Sequence, residues 1–70
     1  MSMKHVLTTS NPDDVRRVLD QIPYTGAYFT SSASAGTHTD HYTARGVELC
    51  RVTRKENSAG ETVYTVRLEQ

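Results

Sequence analysis

Apolar residues recur at helical spacing within residues 10–23. The stripe consists of Val15, Val18, Leu19 and Ile22, at i, i+3, i+4 and i+7. Asn11 is a good N-cap, and Pro12 follows at the first helical position, where its missing N–H costs nothing. Pro23 ends the pattern. This segment predicts one amphipathic helix whose apolar face packs on a sheet.

A second pattern, alternation with period two, extends over residues 46–70 and predicts a β-hairpin. A five-residue loop at 56–60 would place Val52 opposite Tyr64 and gather the apolar side chains on one face. That face contains Cys50, Val52, Tyr64, Val66 and Leu68. The opposite face would contain Val47, Leu49, Arg51, Thr53, Lys55, Val63, Thr65 and Arg67. In this register Lys55 faces Glu61.

Two shorter β-prone runs complete the predicted elements, at residues 4–9 and 24–30. The order is β-α-β-β-β, which predicts a small α+β fold. One helix covers one face of a small, mainly antiparallel sheet, and the other face remains in water. We expect residues 1–70 to form a single domain.

Residues 31–43 carry small polar side chains with almost no apolar content. Such residues cannot offset the entropy lost on ordering, so we predict a flexible loop over 31–43. The alternatives are an extended strand end and a loop that becomes ordered on a partner.

Length and charge narrow the classes of function. A chain of 70 residues with 36% hydrophobic residues has a thin core, which disfavours a closed catalytic pocket. Eight basic residues balance eight acidic ones, so net charge gives no support to a protein held mainly by phosphate attraction. We therefore expect a non-enzymatic protein.

The single cysteine, Cys50, excludes an internal disulfide and is typical of a reducing compartment. The chain has no apolar run of signal-peptide or transmembrane length. The sequence thus favours a cytoplasmic protein without a membrane partner.

The sequence gives weak support to two chemical sites, a metal site and a hydrolytic triad. His38 and His41 could reach one metal ion, with Cys50 and either Asp40 or His5 as further ligands, but only one half of a zinc motif exists. A Ser, His and Asp set from residues 31–41 lacks a rigid nucleophile turn. We expect no metal, no cofactor and no catalytic residue.

The exposed face of the hairpin is the candidate binding site. Its predicted residues are Arg45, Arg51, Lys55, Arg67 and Tyr28. Arginine and tyrosine are frequent anchors of protein interfaces, so the sequence favours a protein that binds a larger complex as an inhibitor or adaptor. Accessory proteins of phages and mobile elements share this size, which is an association by size only.

The alternative is a nucleic-acid-binding module that uses the same basic sheet face. The non-functional explanation is that this face is merely solvated. Its charges would then pair across the strands, as Lys55 and Glu61 would.

A small open sheet leaves two edge strands, which favours a homodimer through a sheet edge.

Overall fold

The computed structural model describes residues 3–22 and 27–69, and for residues 27–29 the backbone alone. Its elements are β1 (Met3–Thr9), α1 (Pro12–Leu19), β2 (Ala27–Ser34), β3 (Thr37–Ala44), β4 (Val47–Glu56) and β5 (Thr62–Glu69). The strands form one antiparallel sheet in the order β1-β5-β4-β3-β2. The predicted small α+β fold with one helix on one sheet face is confirmed, and the sheet has one strand more than expected.

The helix α1 begins as its sequence predicts. Asn11 caps it, because the Asn11 side chain accepts a hydrogen bond of 2.9 Å from the backbone N–H of Asp13. The helix ends at Leu19, earlier than the stripe predicts. The N–H of Ile22 then bonds the Leu19 carbonyl at 3.1 Å, a tighter i to i+3 turn that keeps Ile22 against the core. Pro23, the expected stop, lies outside the described residues.

The core lies between α1 and the middle of the sheet. Its buried members are Val15, Cys50, Val52 and Val66, of which Cys50 and Val66 have no exposed surface. Partly buried apolar residues surround them: Leu7, Val18, Leu19, Ile22, Tyr42, Tyr64 and Leu68. The sheet face under α1 is therefore the apolar face predicted for the hairpin.

The pairing of β4 with β5 differs from the predicted register by two residues. Val52 pairs with Val66 and Glu56 with Thr62, so the five-residue loop is 57–61, not 56–60. The cause is Asn57, whose Oδ1 accepts hydrogen bonds from the backbone N–H of Ala59 and of Glu61. A shift of two leaves the side chains of β5, and those of β4 from Cys50 onward, on their predicted faces. Val47, predicted on the exposed face, is an exception, because an extra residue at Leu49 interrupts the pairing with β3 and Val47 pairs with Ala44 on the helix side.

One consequence of this register concerns charge. Lys55 lies opposite Val63 and not opposite Glu61. The prediction of a charge pair between Lys55 and Glu61 is therefore wrong.

The prediction of a flexible loop over residues 31–43 is wrong. These residues form the end of β2 and most of β3, joined by a two-residue turn at Ala35 and Gly36. Both turn residues have positive φ, 52° and 80°, which matches the right-handed twist of paired strands. The strand β3 has few apolar residues apart from Tyr42, because α1 packs mainly over β1 and β5, at the opposite end of the strand order from β2.

Candidate functional site

The sheet face opposite α1, here called the outer face, is crossed by two rows of aligned side chains. Paired residues of neighbouring antiparallel strands share a face, so the rows follow from the register. The hydroxyl row is Thr8, Thr65, Thr53, Thr39 and Ser32, one residue from each of the five strands. The basic row is His5, Arg67, Arg51 and His41. The outer face is thus polar and rich in donors.

Arg51 and Arg67 lie directly opposite each other at the centre of the basic row. Like charges in opposite positions of a sheet are destabilising, by about 0.2–1 kcal/mol relative to neutral pairs. Among the described residues, Arg67 makes no ion pair with an acidic side chain. The pair therefore concentrates positive charge where folding alone would not favour it.

Glu48 holds the guanidinium of Arg51 by two hydrogen bonds. Arg51 donates from Nη2 to Oε1 at 2.6 Å and from Nε to Oε2 at 3.2 Å. This fork fixes the direction of the planar group. The bonds from Arg51 also lower the pKa of the Glu48 carboxyl, and Glu48 in turn raises the pKa of Arg51.

A β-bulge brings Glu48 to the outer face. Tyr42 pairs with Cys50 and Thr43 with Glu48, so Leu49 is an extra residue in β4. Strict alternation would have placed Glu48 beside Cys50 under the helix. The sequence reasoning missed Glu48 for this reason, and no residue pattern in β4 marks the bulge.

His41 extends the network toward β2. Its Nδ1 bonds the Oε2 of Glu48, and its Nε2 lies 3.4 Å from the Ser32 hydroxyl. This is the atom order of a Ser-His-acid triad, with Glu48 in place of the aspartate that the sequence suggested. The Ser32 contact is longer than the roughly 2.6–3.2 Å of an activated pair, and Ser32 is exposed, so water competes for it. The network orients His41 and Arg51.

The weak metal hypothesis is not supported by the side-chain positions. His38 and His41 are three residues apart on one strand, so they project from opposite faces. His38 instead bonds Asp40 at 3.0 Å on the helix side, and Asp40 also accepts from Ser31. Over residues 3–22 and 27–69, no three His, Cys, Asp or Glu side chains are grouped so as to hold a metal ion.

Cys50 is part of the core and not of a reactive site. It is a free thiol without exposed surface, and burial raises its pKa to about 11. A thiol in such surroundings is inert in the folded protein.

A shallow cavity of about 320 Å³ lies on the outer face near the β4–β5 loop. It is lined by Thr53, Lys55, Asn57, Val63 and Thr65. Lys55 is exposed and, in the described part of the chain, forms no ion pair. The cavity adds one cation and two hydroxyls beside the Arg51–Arg67 pair.

The five residues predicted for the binding site fall into three groups. Arg51, Lys55 and Arg67 share the outer face, in neighbouring strands. Arg45 lies in the exposed turn between β3 and β4, at the end of β4 away from Lys55. The side chain of Tyr28 lies outside the described residues.

Comparison of the chain with known protein families, curated proteins and solved structures found no match. Among the described residues no helix has the length and apolar character needed to cross a membrane.

Proposed function

We propose that this protein is a small non-enzymatic binding protein whose outer face attaches to an acidic surface of a larger protein, as an inhibitor or adaptor. The observation that carries the proposal is the Arg51–Arg67 pair on the sheet face opposite α1. A like-charge pair that costs folding energy is compensated when an anionic partner neutralises it.

The geometry of the face suits a preorganised contact. Glu48 fixes one guanidinium, and β-strands hold the backbone of both arginines, so little side-chain entropy remains to be lost from Arg51 on binding. Arginine is enriched among the anchors that dominate protein interfaces.

Two features favour an acidic protein over nucleic acid. Glu48 sits among the cations, and Glu69 follows two residues after Arg67 on the same face, so a continuous phosphate chain would meet carboxylates. The net charge of zero also supplies no long-range attraction for a polyanion. A partner with separate acidic and neutral patches complements this face better.

Nucleic acid stays the second candidate because of one observation, the unbroken hydroxyl row beside the basic row. Threonine and serine hydroxyls are common donors to phosphate and sugar oxygens.

We also propose that the protein is cytoplasmic. The free cysteine Cys50 supports this location, because free thiols are typical of a reducing compartment.

The test is quantitative capture from a host lysate by three immobilised proteins: wild type, R51T/R67T and, as a matched control, R16T/R17T. The control removes the same charge from exposed positions on α1. We expect specific proteins to be retained by wild type and control, and retention by R51T/R67T to fall by roughly 10-fold or more.

Nuclease treatment of the lysate separates the two candidates. The proposal expects unchanged retention after nuclease and a shallow salt dependence. Equal retention by all three proteins overturns the outer-face proposal, and retention that nuclease abolishes replaces it with nucleic-acid binding.

A further inference from the structure

We infer that β2 is a pairing edge, and that a second copy of this chain adds its own β2 there to form one continuous ten-stranded sheet. The inference does not depend on the partner proposed for the outer face. It rests on a difference between the two strands that end the sheet, β1 and β2.

The β1 edge carries the features that prevent edge-to-edge pairing. The register shifts between His5 and Leu7, so Val6 is a bulge residue that bends the strand. Lys4 adds a charged side chain to the same edge. Either feature is a known protection of an open strand.

The β2 edge has neither feature. Its eight residues, AYFTSSAS, contain no charged residue and no proline. All eight keep an unbroken register with β3, from Ala27 to Ser34, so the strand is extended and regular. Such a strand presents a row of unpaired backbone donors and acceptors.

The side chains of β2 favour a second copy over a charged or bulky strand. Residues 30–34 are all small, and an uncharged strand meets no like-charge repulsion when it faces itself. The hydroxyls of Ser31 and Ser32 are directed to Asp40 and His41 of β3, so they do not obstruct the approach.

The symmetry of such a pair follows from the sheet. Antiparallel pairing of identical strands requires a two-fold axis perpendicular to the sheet, which leaves both helices on one side and both outer faces on the other. Paired residues must then share a face, so the axis passes between the two copies of one residue near the strand centre, Thr30 or Ser31. The helices lie over β1 and β5 in each copy, far from the junction.

The functional consequence is a doubled outer face. Two Arg51–Arg67 pairs would point to the same side of one sheet, and the hydroxyl row would continue from one copy toward the other. A partner with repeated acidic sites would be bound with avidity.

Sedimentation equilibrium over a wide concentration range tests the inference, with Thr30→Lys as the edge variant. Thr30 is exposed, and lysine there faces its own copy or lies close to it. We expect wild type to approach twice the 7.8 kDa chain mass as concentration rises, and Thr30→Lys to stay at 7.8 kDa. Ser34→Lys, at the end of the strand, is the second variant if Thr30→Lys does not fold.

Val6→Lys is the matched control, because it introduces the same charge on the other edge. It should associate as wild type does. A wild type that remains at the mass of one chain, an edge variant that associates unchanged, or a Val6→Lys protein that dissociates overturns the inference.

Discussion

Arg51 on β4 faces Arg67 on β5 in a directly paired position, and both guanidinium groups lie on the sheet face that α1 leaves uncovered. Glu48 neutralises one of them and leaves the other without an ion pair among the described residues. We expect this arrangement to cost stability, because the guanidinium of Arg67 lies beside that of Arg51 without a carboxylate of its own among the described residues. In the proposed function, folding and binding make opposite demands on these two residues.

The first prediction concerns this cost. Arg67→Thr should raise the free energy of unfolding by about 0.2–1 kcal/mol, because it removes the like-charge pair and introduces a residue that favours strands. Urea denaturation measures the change. Arg54→Thr, on the helix-side face opposite Tyr64, is the control and should give a smaller gain. A destabilised Arg67→Thr protein would contradict the assigned cost.

A second prediction concerns pH. The bonds from Arg51 lower the pKa of Glu48 below its ordinary value of 4.5. A carboxyl whose pKa is lower in the folded state stabilises the fold above its unfolded pKa, and this contribution is lost as pH falls through the folded pKa. Glu48→Gln should therefore lose less stability than wild type when the pH is lowered from about 7 to about 3. A constant difference between the two proteins across that range would contradict this account.

The turn between β2 and β3 gives a third prediction. Ala35 has φ of 52°, a conformation that alanine rarely adopts and asparagine tolerates well. Ala35→Asn should raise the melting temperature, by a gain of about 0.5–1 kcal/mol. Ala33→Asn, at a regular strand position, should give no gain. If both variants behave alike, residues 35 and 36 do not form this turn.

The fourth prediction concerns the core. Val66→Ala should cost about 2–3 kcal/mol, because Val66 has no exposed surface and shares the core with only three other buried side chains among the described residues. Val6→Ala should cost less than about 0.5 kcal/mol, because Val6 is 44% exposed. Chemical denaturation of the two variants measures these changes in the free energy of unfolding. Similar losses of stability in both variants would contradict the position of the core at Val66.

The helix and the apolar face of the last hairpin could be predicted because several local signals agree there. Asn11 caps the helix, and the helical stripe and the strand alternation each select one face. The strand β3 cannot be predicted from hydrophobic content. Residues 37–44 are ordered instead by backbone pairing with strands on both sides.

The candidate site could be predicted in part. Alternation placed Arg51, Lys55 and Arg67 on one face, and a register error of two residues left that placement unchanged. The alternation could not reveal Glu48, because the bulge at Leu49 reverses the face of the residues that precede it in β4. The direct opposition of Arg51 and Arg67 depends on the loop that Asn57 closes, which is a matter of turn chemistry and not of periodicity.

The most direct test of the proposed binding face is a spectrum of the arginine side-chain Nε–Hε groups, recorded with and without the captured partner. Each such signal reports one guanidinium, so opposite sides of the molecule can be distinguished in one sample. We predict that the signals of Arg51 and Arg67 shift while those of Arg16 and Arg17 on α1 stay in place. Shifts at Arg16 and Arg17 with unmoved signals for Arg51 and Arg67 would contradict the account.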